Sequence, residues 1–323
     1  MATPLVSIII PVYNCASILS ITIESAIAQT YPNIEIIIVD DGSKDDSYAI
    51  AKKYENDSIH VIQQQNAGAA IARNKGLAFA TGDFIQFLDA GDVLSNDKIE
   101  KQVMALKKNP GKLALCNYIQ VTDFAKIEAA SPADQSSFIF SSDKPIDFLV
   151  NLLGGTGNSN FIQTNCWLIP KMLIEKGGAW RAFRCPDDDG EFFARMILAS
   201  NGIVHVEQVY NYYLMSPEAN QLSTNMKSKY VMNKLLAIQL KHQYLLDSGG
   251  HPQIKNAIAL QYFYFAIFHF PQSKKFASIA YKRYKLFKTD IPLPKLGGGF
   301  VMLLAKIFGW KTARQIRYSL REK

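Results

Sequence analysis

Through residue 118 the chain switches repeatedly between two hydrophobic periods. β-Branched and aromatic runs at 6–12, 35–39, 59–63, 84–88 and 113–118 read as strands. Apolar positions three and four apart at 17–29, 45–54, 69–80 and 97–107 read as helices. Such alternation predicts an α/β fold, a parallel sheet with helices on both faces. Residues 123–160 are rich in Ser, Asp and Gly and predict loop around one short helix at 146–153. Patterning resumes over 161–213, with a helix at 190–200, and continues as helix at 229–246, 254–270 and 276–287. Pro292, Pro294 and the Gly297 to Gly299 run then set off a last helix. The expected organisation is an α/β domain over 1–225 and a helical C-terminal extension over 226–323.

Composition narrows the class. At 48% hydrophobic and 20% charged, the 323 residues can bury a sizeable core, which excludes wholesale disorder. Cys15, Cys116, Cys166 and Cys185 lack C-x-x-C spacing, against a zinc framework or a disulfide-stapled secreted scaffold. Met1 to Pro4 lead into the first apolar run without a basic segment. No apolar run approaches the ~18–20 residues of a membrane span, so a cytoplasmic protein is expected. The net charge of +7 is uneven: 274–323 carries thirteen basic and two acidic side chains, and the preceding 273 residues sum to −4. On a continuous helical wheel Lys306, Arg314, Arg317 and Arg321 share one arc, opposite Val301, Ala305, Phe308 and Ile316. That pattern predicts an anionic membrane surface as partner and a peripheral place on the inner face of the plasma membrane. No nucleic-acid-binding motif accompanies the charge, so nucleic acid is not an expected partner.

Open parallel sheets bind ligands beyond the carboxyl ends of their strands, and acids gather there. The first strand ends in Pro11-Val12-Tyr13-Asn14, the second in Asp40-Asp41-Gly42-Ser43, the fourth in Asp89-Ala90-Gly91-Asp92. Like charges in one site oppose each other's ionisation unless donors or a cation offset them. Asp40 and Asp41 suit hydrogen-bond donors on a base or ribose. Asp89 and Asp92 suit a divalent cation, which takes hard oxygen ligands. Arg73, on the helix that Asn66-Ala67-Gly68 opens, places a cation where a nucleotide would meet it. Taken singly, Asp41, Ser43, Asp45 and the run Asp187 to Asp189 also fit helix caps, and Tyr13 fits a core aromatic. Co-occurrence at the strand ends of one edge argues for a site.

PVYN, VDDGSKDD, NAGAAIARNKG and FLDAGD, in this order and at these intervals, resemble family 2 glycosyltransferases of bacterial cell-surface glycan type, which implies the GT-A fold, an α/β fold with a mostly parallel mixed sheet and helices on both faces. The likeness covers about residues 5–215. It implies that Pro11 and Tyr13 hold the nucleotide, Tyr13 stacking on uracil, while Asp40 bonds the base edge and Arg73 orients base or ribose. It implies that Asp89 binds ribose and that Asp89 and Asp92 hold Mn2+ or Mg2+ bridging the diphosphate. The run Asp187 to Arg195 resembles the family's Glu-Asp-x-(Asp/Glu)-Phe-x-x-Arg stretch, which puts Asp189 at the catalytic base, with Asp188, Glu191 and Arg195 supporting it or the acceptor. Two departures stand out: Gly91 replaces the middle acid of the usual metal motif, and 211–216 lacks the usual Tyr-Arg-x-His, leaving Tyr213 or Ser216 as weaker substitutes.

The implied activity is inverting transfer of one sugar from a nucleotide-diphosphate donor, UDP-linked, to a glycan or lipid-linked acceptor. No Gln-x-x-Arg-Trp motif is present, which disfavours a processive synthase. The alternatives are a sugar-phosphate nucleotidyltransferase, whose Gly-rich basic loop is missing after the first strand, and a non-catalytic nucleotide-sugar-binding protein.

Overall fold

A computed structural model describes residues 3–215 and 227–321, the side chains of Glu128 and Arg321 apart. β1 (Val6–Val12), β2 (Ile34–Asp40) and β3 (Ile59–Gln63) are parallel neighbours, linked through α1 (Ala16–Ile27) and α2 (Ser47–Lys52). α3 (Ala69–Phe79) returns the chain to β4 (Phe84–Phe87), parallel to the other edge of β1. Then come β5 (Val93–Leu94), α4 (Lys98–Lys108), β6 (Leu113–Val121) and α5 (Pro145–Leu152). β7 (Trp167–Pro170), α6 (Lys171–Gly177), α7 (Asp188–Ala199) and β8 (Ile203–Leu214) follow. The sheet has eight strands in the order β3-β2-β1-β4-β7-β6-β8-β5. β6 and β8 are also parallel, whereas β4/β7, β6/β7 and β5/β8 are antiparallel. The expected mixed α/β sheet is the one formed.

Both faces of the sheet are covered because β1 is apolar at every position but Ser7 and Pro11. Val6, Ile8, Ile10 and Val12 pack with Leu19 and Ile23 of α1 and with Ile99, Val103 and Leu106 of α4. Ile9, on the opposite face, meets α3 so closely that a Cβ on Gly76 would lie 2.4 Å from its Cγ2. On that face Trp180 stacks on Phe192 of α7 (4.1 Å between centroids), and Phe87 meets both edge-on. Pro11 is tolerated because β4 ends at Phe87, opposite Ile9, so no donor is required of it there.

The chain divides into two compact units, the first taking 3–145, 162–184 and 188–215. The second takes 146–161, 185–187 and the described residues from 227 on. It is built on α8 (Ser228–Asp247), α9 (Ile254–His269), α10 (Lys274–Leu286) and α11 (Gly299–Arg321). Tyr262, Leu260 and Ile267 are fully buried, and Phe263 stacks on Tyr284 at 4.4 Å. Lys241, buried on α8, pairs with Asp187 at 2.6 Å. Among the described residues no helix is long and apolar enough to cross a membrane.

The continuous basic arc expected in the tail does not form. Gly309 (φ 80°, ψ 157°) interrupts α11, which takes Lys306 out of phase with Arg314 and Arg317. Arg314 is tied down, donating to the Phe268 and Phe270 carbonyls at 3.0 and 3.1 Å. The side chain of Arg321 lies outside the described residues.

Candidate functional site

β1, β2 and β4 run the same way, so their carboxyl ends open on one edge, where the strand order reverses between β1 and β4. Tyr13 follows β1 and is 47% exposed, a ring with a free face and not a core aromatic. The turn behind it is fixed to the end of β2. Asn14 N donates to Ser43 Oγ at 3.0 Å, and Lys44 N donates to Asn14 Oδ1 at 2.8 Å.

The two acids of β2 have separate tasks. Asp41 is a structural carboxylate: it accepts from Ala67 N, Gly68 N and Gln64 Nε2, all at 2.8 Å, and so shapes the loop that opens α3. Asp40 accepts from Ser43 N and Gln63 Nε2 on Oδ2 at 3.2 Å, whereas its buried Oδ1 has no partner. An acceptor left unmatched in the interior costs about 1–3 kcal/mol.

The turn after β4 shows why Gly91 stands where an acid is usual. Its φ is +105°, and a Cβ would lie 2.8 Å from Ile18 Cδ1. A side chain there is strained and obstructed together. The acids flanking it point apart. Asp92 is buried: Asn165 Nδ2 and Asn211 Nδ2 donate to its Oδ2, and Leu214 N donates to its Oδ1. Burial, then the charge of Asp89, pushes its carboxyl up to about 8. Asp89 keeps its side chain 42% exposed and accepts from Arg73 Nη2 at 2.6 Å. Of the two acids expected to hold one ion, Asp89 is thus the more exposed, and Asp92 lies buried among three donors of the chain.

Arg73 draws the site together. Its guanidinium is buried, lies 4.4 Å above the Trp180 ring, binds Asp89, and sits 3.7 Å from Asp188. Asp188 and Asp189 open α7, where the positive end of the helix favours carboxylates; Gly190 N donates to Asp189 Oδ1 at 2.8 Å. Burial pushes the Asp188 carboxyl up to about 7, with Arg73 opposing and Asp189 and Asp89 adding to the rise. The phenol of Tyr213 is raised by burial and by the charges of Asp92, Asp89 and Asp189, so the end of β8 faces the same acids. Ser216, its alternative, lies outside the described residues. Asp89, Asp188 and Asp189 thus share one electrostatic site, beside the end of β1 that carries Tyr13.

Glu191 and Arg195 anchor this corner from behind. Glu191 is 1% exposed and accepts from Arg195 Nε and Nη2, both at 2.9 Å, and from Arg181 Nε at 2.8 Å. Arg195 further donates to the carbonyls of Gly177, Gly178 and Ala179. Together they tie the start of α7 to Arg181 and to the carbonyls of Gly177, Gly178 and Ala179.

Four contributors were invisible in sequence order: Trp180, Asn165, Asn211 and Lys98. Trp180 carries Arg73, and Asn165 accepts from Asp89 N at 3.1 Å while donating to Asp92. Lys98, fully buried, donates to Gln86 and Gln102, and Gln86 Nε2 in turn donates to the Asn165 carbonyl at 3.0 Å. For Asn165 and Asn211 the only sequence signal was a polar residue inside an otherwise apolar segment, and Trp180 and Lys98 carried none.

A divalent ion fits this donor set in one way. Among the described residues no cluster of three or more His, Cys, Asp and Glu could hold a metal by itself. Asp89 leaves one oxygen for an ion whose other ligands come from phosphate and water, a common arrangement for Mg2+.

Known proteins resemble the chain in sequence and in fold. An uncharacterised glycosyltransferase of Rickettsia typhi is 29% identical over 324 residues, covering 99% of this chain and 92% of that protein. The Escherichia coli UDP-Glc:alpha-D-GlcNAc-diphosphoundecaprenol beta-1,3-glucosyltransferase WfaP is 43% identical over 121 residues, 37% of this chain and 48% of that protein. The chain spans about half the length of several curated relatives that it matches. Staphylococcus aureus TarS 1-349, solved with UDP-GlcNAc, superposes with a TM-score of 0.70 at 17% identity, covering 98% of this chain and 92% of that one, and shares the GT-A-like fold. The model for glycosyl transferase family 2 matches residues 7–175, more than half of the sequence, and the chain belongs to that family.

Proposed function

We propose that the protein transfers one sugar, with inversion, from a UDP-linked donor to a hydroxyl of a lipid-linked or glycan acceptor in cell-surface polysaccharide synthesis. The observation that carries this reading is the gathering of Asp89, Asp188 and Asp189 around Arg73 at the carboxyl edge of the sheet. Beside them stand a half-exposed ring at Tyr13 and an unmatched oxygen at Asp40. The similarity to WfaP, a glucosyltransferase with a UDP-Glc donor and a diphosphoundecaprenol acceptor, supports the donor and acceptor classes.

In this reading Pro11 shapes the turn, Tyr13 stacks on the uracil, and Asp40 Oδ1 accepts from its imide N–H. Asp89 holds the ribose or the ion, and Mn2+ or Mg2+ supplies neutralisation of the departing diphosphate when bound. Arg73 keeps Asp89 and Asp188 at fixed separation, and Asp188 sets the start of α7. Asp189 accepts the proton of the attacking hydroxyl. Attack from the face opposite the diphosphate inverts the anomeric centre, and holding both substrates in one cleft supplies the orientation gain.

Asp189→Asn tests the assignment. Transfer should fall by at least about a hundredfold, the usual worth of a general base, while UDP binding by calorimetry stays within about twofold of the parent. Activity that survives the change sinks the base assignment; loss of UDP binding with it sinks the division of labour between Asp189 and the nucleotide site.

A further inference from the structure

The second unit has one feature that catalysis leaves unused. From residue 227 to 321 the sequence carries seventeen Lys and Arg against two acids, Asp247 and Asp290. The first half of α11 buries Ala305 and half-buries Val301 and Met302, while Phe300, Leu303, Ile307 and Phe308 are between 54% and 66% exposed. At helical spacing these four form one outward ridge, continuous along two turns. Lys306, within the same two turns, is exposed, as are Lys295 before the helix and Lys311 after Gly309, the last lying 4.9 Å over the Tyr281 ring.

From this we infer that the ridge Phe300, Leu303, Ile307 and Phe308 inserts into the interfacial layer of an anionic lipid membrane, with the flanking lysines on the headgroups. The assignment keeps the anionic membrane as partner but does not rest on the continuous basic arc of Lys306, Arg314, Arg317 and Arg321 read from a helical wheel. Gly309 breaks that arc, and Arg314 is engaged with the carbonyls of Phe268 and Phe270. Two apolar aromatic and two aliphatic side chains left in water are a poor choice for a solvated surface. A basic surround selects a negatively charged occupant, and the apolar ridge selects one with a hydrocarbon interior. An RNA satisfies the first condition and not the second; a second copy of this unit satisfies the second and is opposed by its own charge.

The test is flotation of the full chain with phosphatidylcholine vesicles, with and without phosphatidylglycerol. The double variant Ile307→Ser/Phe308→Ser removes exposed side chains only, and an unchanged melting temperature and UDP affinity verify its fold. The parent should float with the anionic vesicles alone, and the double variant should bind them about tenfold or more weakly, given the apolar area withdrawn. Lys306→Gln should weaken binding by a few-fold, and more so at low salt. Arg317→Gln should leave it within about twofold. Equal flotation of parent and double variant overturns the inference. So does a parent that ignores vesicles and instead dimerises through the ridge or retains RNA. None of these outcomes bears on the Asp189 assignment, which is read on soluble donor.

Discussion

Glu191→Gln tests whether the acid corner depends on the knot behind it. The carboxylate is 1% exposed and receives three charge-assisted hydrogen bonds, two from Arg195 and one from Arg181. Removing one partner of a buried pair costs about 3–5 kcal/mol, because a charge is left without its counter-charge. Two features lower that figure. Arg195 keeps three carbonyl acceptors, and Arg181 is half-exposed, so its share is within about 1 kcal/mol. The expected loss is about 2–4 kcal/mol, which lowers the melting temperature by roughly 5–15 °C for a unit of this size. Urea unfolding at neutral pH reads the first quantity and a thermal melt the second. Because Glu191 lies in the first turn of α7, the turn that carries Asp188 and Asp189, transfer should fall along with stability. A loss of less than about 0.5 kcal/mol, the level of an ordinary surface change, would refute the claim that this ion cluster holds the site.

Two further outcomes follow from the geometry. Asp89→Asn should abolish the dependence of UDP affinity on Mn2+, read by calorimetry, whereas Asp92→Asn should keep that dependence and lose about 1–3 kcal/mol of stability through its buried hydrogen bonds; the reverse pattern would return Asp92 to the metal. His269 on α9 is held down to about 4 by burial, then by Lys234 and Arg314. Its folded value lies below the ordinary 6.5, so the unfolded chain takes up the proton first as pH falls. The second unit should lose up to about 3 kcal/mol between pH 7 and pH 4, and His269→Gln should flatten that slope; an unchanged denaturation midpoint across this range would show that the ring is not held neutral.

Much of the first unit was legible along the chain because its strands are β-branched runs buried on both faces, and its helices keep an apolar stripe. β1 to β4 and α1 to α4 begin and end within about three residues of the patterned segments, the usual uncertainty of such boundaries. Legible too was the order of the strand-end motifs, since a parallel sheet brings segments far apart in sequence to one edge. β5 and β7 were not, being two and four residues long and paired antiparallel with strands distant in sequence.

The local sequence therefore determined which residues are strands, which are helices, and which acids stand at strand ends, because periodicity and turn chemistry are properties of neighbours. Only the tertiary structure decided what each acid does. Asp89 and Asp92 are three residues apart, yet one faces Arg73 and solvent while the other is sealed by Asn165, Asn211 and Leu214 N. Likewise Lys98 reads as a surface cation and lies fully buried on Gln86 and Gln102, and a single glycine at 309 interrupts the basic arc that a continuous helix would have formed. A charge's role depends on the donors, counter-charges and water around it, and those are supplied by parts of the chain that sequence order keeps apart.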